Sequence, residues 1–124
     1  QNVLSCLDAE NRYLTTPSSV DFYPMQGSIE DHASNLPLAV TKCRQMVDNL
    51  RYLVGMEALF ASQAVDLRKS DDNGDYVHLG KGTQKAYDVL RAVVPEMKSN
   101  RSVYDDINKA YQLVLEEKFL ADGE

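Results

Sequence analysis

The feature that most constrains this chain is the helical periodicity of residues 36–67. Apolar or small side chains recur there at intervals that mostly alternate between four and three: Leu36, Val40, Cys43, Val47, Leu50, Val54, Ala58, Ala61, and Ala64 or Val65. This set, called the seam below, is typical of a helix that packs lengthwise against other helices. Asn35 is a candidate N-cap, and Pro37 fits the first turn. We therefore predict a long helix over residues 35–67.

The predicted helix is too long for a chain of 124 residues to cover. At 1.5 Å per residue it would span about 48 Å, whereas a compact domain of this size has a radius of gyration of about 14 Å. Residues 53–67 are also apolar on nearly every face, and such a helix must be surrounded by other helices. We expect this chain to be part of a larger helical bundle and to associate with other chains or segments.

The remaining sequence predicts shorter helices and one long loop. Residues 1–13 fit the last turns of a helix, and further helices are predicted at about 83–95, with Thr83 as N-cap, and at about 104–119. Residues 15–34 contain two prolines and a glycine, which oppose regular structure, and loops of this length are usually functional or disordered. With no strand pattern, we predict an all-α fold with a long central helix.

Composition narrows the range of partners. Thirteen Lys and Arg against nineteen Asp and Glu give a net charge of −6, which disfavours nucleic acid and anionic membrane surfaces as partners. No apolar run approaches the ~18–20 residues of a membrane span. The two cysteines, Cys6 and Cys43, are too few for a disulfide framework and favour a reduced, cytoplasmic protein.

Three groups of residues could carry chemistry. Glu30-Asp31-His32 is the densest ionisable cluster, but consecutive helical residues point about 100° apart and cannot share a metal, so we predict no metal site. Helix capping and catalysis both remain open for its acids. Glu57 lies within the seam and is either half of a structural ion pair or a buried base. Residues 80–83 lack the spacing of a phosphate loop and are predicted to be a turn.

Longer motifs resemble the aromatic amino acid ammonia-lyases, particularly the histidine type. In that family P-x-S-x-D is followed by Q-E-D-H-V-S, and E-x-L-x-A-x-Q-x-x-D-L-R and D-R-x-x-x-x-D-I come later. The corresponding segments are residues 17–21, 30–34, 57–68 and 101–107, with further likeness at 79–83 and 86–88. Each motif alone is weak, but together they cover nearly the whole chain in the family's order.

The resemblance implies that residues 1–124 form a single C-terminal helical segment of such an enzyme, with loop 15–34 facing the active site. The full-length parent would be a carbon–nitrogen lyase that eliminates ammonia to give an acrylate such as urocanate. The family's electrophile, a methylidene-imidazolone, forms from an Ala-Ser-Gly triplet that is absent here and belongs to the N-terminal part. We therefore expect the 124-residue chain alone to be inactive. Relatives are homotetramers, which implies further copies or the N-terminal part as partners.

Carried over by position, Glu30 matches an active-site Glu or Gln of the family and is the predicted catalytic residue. Gln26 matches a neighbouring position that lines the amino-acid substrate pocket. The sequence departs from the family at Ile29, where relatives have Gln or Asn. The alternatives to a histidine ammonia-lyase are a phenylalanine or tyrosine ammonia-lyase, an aminomutase relative, or a non-catalytic helical interaction module.

Overall fold

A computed structural model describes residues 1–19, 27, 29, 35–71 and 77–120 of the chain. The helices of these ranges are α1 (Asn2–Leu14), α2 (Leu36–Asp71), α3 (Lys81–Arg91) and α4 (Tyr104–Leu115). No strand occurs within the same ranges, and the predicted all-α class is confirmed. The chain divides into two compact units, Gln1–Leu50 and Arg51–Glu124, called the first and the second unit below.

Helix α2 is the long helix that the periodicity predicts. It begins at Leu36, directly after Asn35, and continues to Asp71, beyond the predicted end at residue 67. The apolar pattern stops earlier than the helix because the last turn is polar, and its Arg68 and Lys69 suit the negative end of the helix dipole. Although α2 has 36 residues, no helix in the described ranges is long and apolar enough to cross a membrane.

In the first unit, a polar contact joins α1 to α2. The Asn49 side chain is 3% exposed, and its Nδ2 donates to Glu10 Oε2 and to Asn11 Oδ1, both at 3.0 Å. The oxygen of the same amide, Asn49 Oδ1, accepts from Gln45 Nε2 at 3.2 Å. No residue of α1 is fully buried. Hydrogen bonds from one buried amide therefore fix the register of α1 on α2.

The second unit has the apolar core. Leu90, Val94 and Ala110 are buried, and side chains from α2, α4 and the segment after α4 pack on them: Ala58, Leu59, Leu113 and Phe119. Nearby, the rings of Tyr52 and Tyr111 stack with their centroids 4.2 Å apart. Residues from α2, α3 and α4 thus share one core.

Helix α3 differs from its prediction at both ends. Its N-cap is Gly80 rather than Thr83, whose hydroxyl lies inside the first turn and donates to the Gly80 carbonyl at 2.9 Å. The prediction of Thr83 as N-cap was therefore wrong. The helix ends at Arg91 rather than near 95, since Pro95 disfavours helical conformation in the residue before it.

Helix α4 ends at Leu115, before the predicted end at 119, because of a Schellman motif. Glu117 adopts a φ of 57°. Its N–H donates to the Val114 carbonyl at 3.1 Å, and the N–H of Lys118 donates to the Leu113 carbonyl at 2.9 Å. These two bonds satisfy carbonyls at the helix end without a glycine.

Most of the seam on α2 is exposed. In the first unit its exposed members are Leu36, Val40, Cys43, Val47 and Leu50, and in the second unit Val54 is 40% exposed. The side chains that α2 buries in the second unit include Met56, Ser62 and Asp66. Within the second unit, the seam member Ala58 packs on the core, but Val54 is exposed and the residues that α2 buries fully lie off the seam.

Helices α2 and α4 approach closely at Gly55. A Cβ at this position would lie 3.1 Å from the Ala110 carbonyl carbon and 3.1 Å from the Tyr111 nitrogen. Both atoms belong to the backbone of α4, so a side chain at residue 55 would push one helix away from the other. The packing of the second unit therefore requires glycine here.

Gly55→Ala is expected to destabilise the chain by about 1–3 kcal/mol, the usual cost of overpacking. This loss would occur although alanine favours helix over glycine by about 1 kcal/mol. Gly82→Ala is the matched control, because Gly82 also lies in a helix but has open space around it. Urea unfolding followed by far-UV circular dichroism compares the two. An equal gain in stability for both variants would contradict the close approach.

Candidate functional site

The predicted site residues Gln26 and Glu30 lie outside the described residues, as do Asp31 and His32. Ile29, the position where the sequence departs from the resembled family, is described: it lies in a turn and is 83% exposed. Gly27 has a φ of 65°, a conformation that glycine adopts without steric cost. Around the predicted site, the structure therefore describes mainly the residues that precede and follow residues 19–34.

Residues 19–34 are called the site segment below, and the residues that flank it contact one another within the first unit. Asn35 Nδ2 donates to the Ser18 carbonyl at 2.9 Å, across a sequence separation of 17. The Lys42 ammonium donates to the Thr16 carbonyl. The residues after α1 and the first turns of α2 therefore lie against one another. A cavity of about 210 Å³ lies beside these contacts, lined by Leu14, Thr15, Thr16, Ser18, Ala39, Lys42, Cys43 and Met46.

The second unit contains a polar cluster that the sequence interpretation missed. Asp66 is 8% exposed, and its carboxylate accepts from Arg91 Nη2 at 2.5 Å and from the Tyr87 hydroxyl. The Lys69 ammonium lies 4.2 Å from the centre of the Tyr87 ring. A nearly buried carboxylate is stable only with such partners, so this cluster joins α2 to α3.

The same unit fixes the segment between α3 and α4 by contacts to its backbone. The Gln63 amide accepts from the Met97 N–H at 3.0 Å and donates to the Met97 carbonyl at 3.4 Å. Arg91 and Arg101 both donate to the Pro95 carbonyl, at 3.5 and 3.2 Å. Arg101 also pairs with the buried carboxylate of Asp106. Side chains from α2 and α3, together with Arg101 of the segment itself, thereby satisfy the irregular backbone, and Asp106 of α4 holds Arg101 in place.

The other candidate residues of the sequence analysis have structural roles or are exposed. Gly80 caps α3, so residues 80–83 form the start of a helix. Glu57 is exposed, so it is not the buried base that was one alternative for it, and the structural ion pair that was the other is not found among the described residues. Cys6 and Cys43 are free thiols and exposed, although Cys43 was predicted to face the seam's packing partners. In the described part of the chain, no group of three metal-ligating side chains lies together.

Comparison with known proteins decides the family. The sequence profile of the aromatic amino acid lyases matches residues 1–92. The chain belongs to the aromatic amino acid lyase family. It is 35% identical over 124 residues to the histidine ammonia-lyase of Alkaliphilus metalliredigens, covering all of this chain and 23% of that protein. The histidine ammonia-lyase of Streptococcus sanguinis is 36% identical over 123 residues, with 98% of this chain and again 23% of that protein covered.

A solved structure agrees with the family. The crystal structure of the ergothioneine-degrading enzyme ergothionase from Treponema denticola matches with a TM-score of 0.82 and 47% identity. The match covers 94% of this chain and 22% of that chain. This aromatic amino acid lyase segment therefore spans about a quarter of the length of the relatives it matches. The resemblance drawn from the motifs is confirmed.

The described contacts explain part of the family-like motif at residues 57–68 of this lyase segment. Gln63 holds the backbone at Met97, and Asp66 pairs with Arg91 and Tyr87. The sequence indicated these two residues only through the family-like motif, which has Gln and Asp at their positions. For Gly55, an isolated glycine within a helical pattern is a signal of close packing.

Asp66→Asn is expected to destabilise the chain by about 3 kcal/mol, because it leaves the mostly buried Arg91 guanidinium without a charge partner. Asp8→Asn is the matched control. It breaks the Arg12–Asp8 pair, whose side chains are 80% and 58% exposed, and exposed pairs contribute at most about 1 kcal/mol. Urea midpoints of both variants test the difference, and similar losses for the two would contradict the role of the buried pair.

Proposed function

We propose that this chain supplies the C-terminal helical segment of a lyase that acts on an imidazole-bearing amino acid. The observation that carries the proposal is the similarity to histidine ammonia-lyases along all 124 residues, at 35% identity. In such a reaction the Cα–N bond breaks, a proton leaves Cβ, and a double bond forms between the two carbons. The amine departs with the electron pair of the broken bond.

Glu30 and Gln26 are the proposed site residues of this segment. A carboxylate at residue 30 can hold the substrate imidazole or accept a proton, whereas an amide could only orient the ring. Gln26 would line the substrate pocket beside it. The support for both is their position in the family-like motifs, together with the contacts between the residues that flank the site segment.

The electrophile of the family does not fit the residues of this chain. Methylidene-imidazolone withdraws electrons from the substrate and forms from an Ala-Ser-Gly triplet, which these 124 residues lack. We propose that another part of the parent supplies it. The segment's own contribution is then limited to binding, orienting and proton transfer, and the segment alone would be inactive.

The proposed partners are the rest of the parent and further copies of it, in a homotetramer. Exposed apolar side chains on α2 support this in each unit taken by itself, because patches of this kind mark interaction surfaces. Leu36 is 61% exposed in the first unit, and Phe60 is 59% exposed in the second. We also propose a cytoplasmic location, because both cysteines are free thiols.

Ergothioneine is a second candidate substrate, and one specific observation favours it. The identity to ergothionase is 47%, against 35% and 36% to the two histidine ammonia-lyases. Ergothioneine carries three methyl groups on its α-amino nitrogen and a sulfur on its imidazole ring. The same elimination would therefore release trimethylamine rather than ammonia. Ile29 argues against histidine itself, since it departs from the Gln or Asn of the family's motif.

The full-length parent is expected to turn over ergothioneine with a kcat/KM at least about tenfold above that for histidine. A tenfold ratio corresponds to about 1.4 kcal/mol of transition-state discrimination. Released trimethylamine and ammonia are quantified separately, with phenylalanine and tyrosine as further substrates. A preference for histidine would restore the ammonia-lyase assignment, and a preference for phenylalanine or tyrosine would overturn the imidazole-bearing class.

Glu30→Gln in the parent is expected to lower kcat/KM for its preferred substrate by about 10²-fold or more, the range of positioned acid–base groups. The change preserves size and removes both the charge and the ability to take a proton. Glu116→Gln is the control. Because Glu116 is exposed, this substitution should change turnover by no more than about twofold. Unchanged kinetics for Glu30→Gln, with lower thermal stability, would make Glu30 a structural cap instead.

A further inference from the structure

One face of α2 in the second unit is apolar and exposed. Val54, Phe60 and Leu67 are 40%, 59% and 57% exposed, and Ala61 and Ala64 are exposed as well. These five residues, called the docking face below, recur at the intervals of three, four and seven that align side chains along one side of a helix. Single exposed apolar side chains are common, but several side by side mark an interaction surface.

The docking face is on the side of α2 that points away from the core of the second unit. Gly55 approaches the backbone of α4, and Asp66 binds Arg91 of α3. A helix turns about 100° per residue, so Ala64, near the middle of the docking face, lies about 180° round the helix from Gly55. Within the described part of this unit, α3 and α4 therefore leave the docking face uncovered.

Glu57 places a negative charge in the middle of the docking face. It follows Val54 by three positions and precedes Ala61 by four, so its carboxylate emerges among apolar side chains. Glu57 is exposed, and in the described part of the chain no Lys or Arg forms an ion pair with it. None of the residues three or four positions before or after it is basic. Helix α2 therefore cannot neutralise this charge by itself.

The charge restricts what can cover the docking face. A partner that contacts the apolar side chains on all sides of Glu57 removes its carboxylate from water, which is strongly unfavourable unless a cation or hydrogen-bond donors face it. A purely apolar surface is thereby rejected, as is an acidic one. A helix with an apolar stripe and one basic residue satisfies both the apolar side chains and the carboxylate.

We propose that the docking face binds a helix of the parent that lies outside residues 1–124 and places a Lys or Arg opposite Glu57. This inference rests on the proposal that the chain is one segment of a longer parent. The chain covers 23% of the histidine ammonia-lyase and 22% of the ergothionase that it matches, so most of the length of such relatives lies outside the matched segment. The ion pair fixes the register of the bound helix on α2, because the two charges meet in one alignment only.

Photo-cross-linking in the full-length parent identifies the bound helix. In one variant p-benzoylphenylalanine replaces Phe60, which leaves Glu57 in place and retains an aromatic side chain. The expected cross-link is to a peptide outside residues 1–124 with a Lys or Arg within about two helical turns, roughly seven residues, of the attachment point. The control carries the same probe in place of Tyr104, an aromatic residue of the second unit that is 72% exposed but starts α4, and is expected to miss that peptide.

Three results of the cross-linking would overturn the proposal. They are the absence of a cross-link from position 60, a cross-link into residues 1–124 of a second copy, and capture of the same peptide from both positions.

Charge reversal tests the ion pair. Glu57→Lys in the parent is expected to raise the unfolded-to-folded ratio at a fixed urea concentration by about 10²-fold or more, because two like charges then meet at the contact. Glu116→Lys, at an exposed position after α4, is expected to change this ratio by no more than about twofold. Replacing the basic residue of the cross-linked peptide by Glu in the Glu57→Lys parent is expected to restore at least half of the lost urea midpoint.

The outcomes separate this inference from the proposed reaction. A second reversal that restores nothing would overturn the ion pair with Glu57, whatever the parent's activity. A parent that turns over none of the substrates, yet shows the cross-link and the restored midpoint, would overturn the proposed reaction and support the docking.

Discussion

The second unit depends on a carboxylate that has been removed from water. Asp66 is 8% exposed, and transferring an ion into such a site costs several kcal/mol unless its partners are in place. Those partners, Arg91 and Tyr87, both belong to α3. Arg91 also reaches the Val94 and Pro95 carbonyls. Any arrangement that moves α3 away from α2 would leave this charge unpaired, so the ion pair selects one position for α3 and for the chain that follows it.

The sequence predicted the helices better than it predicted which faces they bury. Periodicity depends on apolar side chains, and α2 carries an apolar seam whose members, such as Val40 and Leu50, are exposed in this chain. The side chains that α2 does bury include Asn49, Ser62 and Asp66, which a hydrophobic pattern counts as surface. The burial of Asn49 and Asp66 depends on hydrogen-bond partners many positions away, and no local pattern contains that information. The predicted helix ends differ from the observed ones for a related reason, since residues at the ends such as Gly80 and Glu117 act through their backbone conformation.

The candidate site was predictable only through resemblance. Charge and spacing alone left the acids of residues 30–32 open between capping and catalysis, and only the longer motifs assigned Glu30 a role. Gln26 and Glu30 remain predictions. The contact between Asn35 and Ser18 could not have been foreseen, because a bond from a side chain to a distant carbonyl leaves no periodic trace. Asparagine before a helix indicates a cap equally well.

The positions of the two cysteines make the first unit chemically addressable. Cys6 and Cys43 are the only cysteines of the sequence, both are exposed, and both lie within Gln1–Leu50. A thiol-reactive fluorophore would therefore label this unit and leave the second unmarked. Since the chain has no tryptophan, intrinsic emission at the wavelengths of that residue would not interfere. The unfolding of α1 from α2 could then be followed separately from loss of the apolar core, on one unmodified sequence.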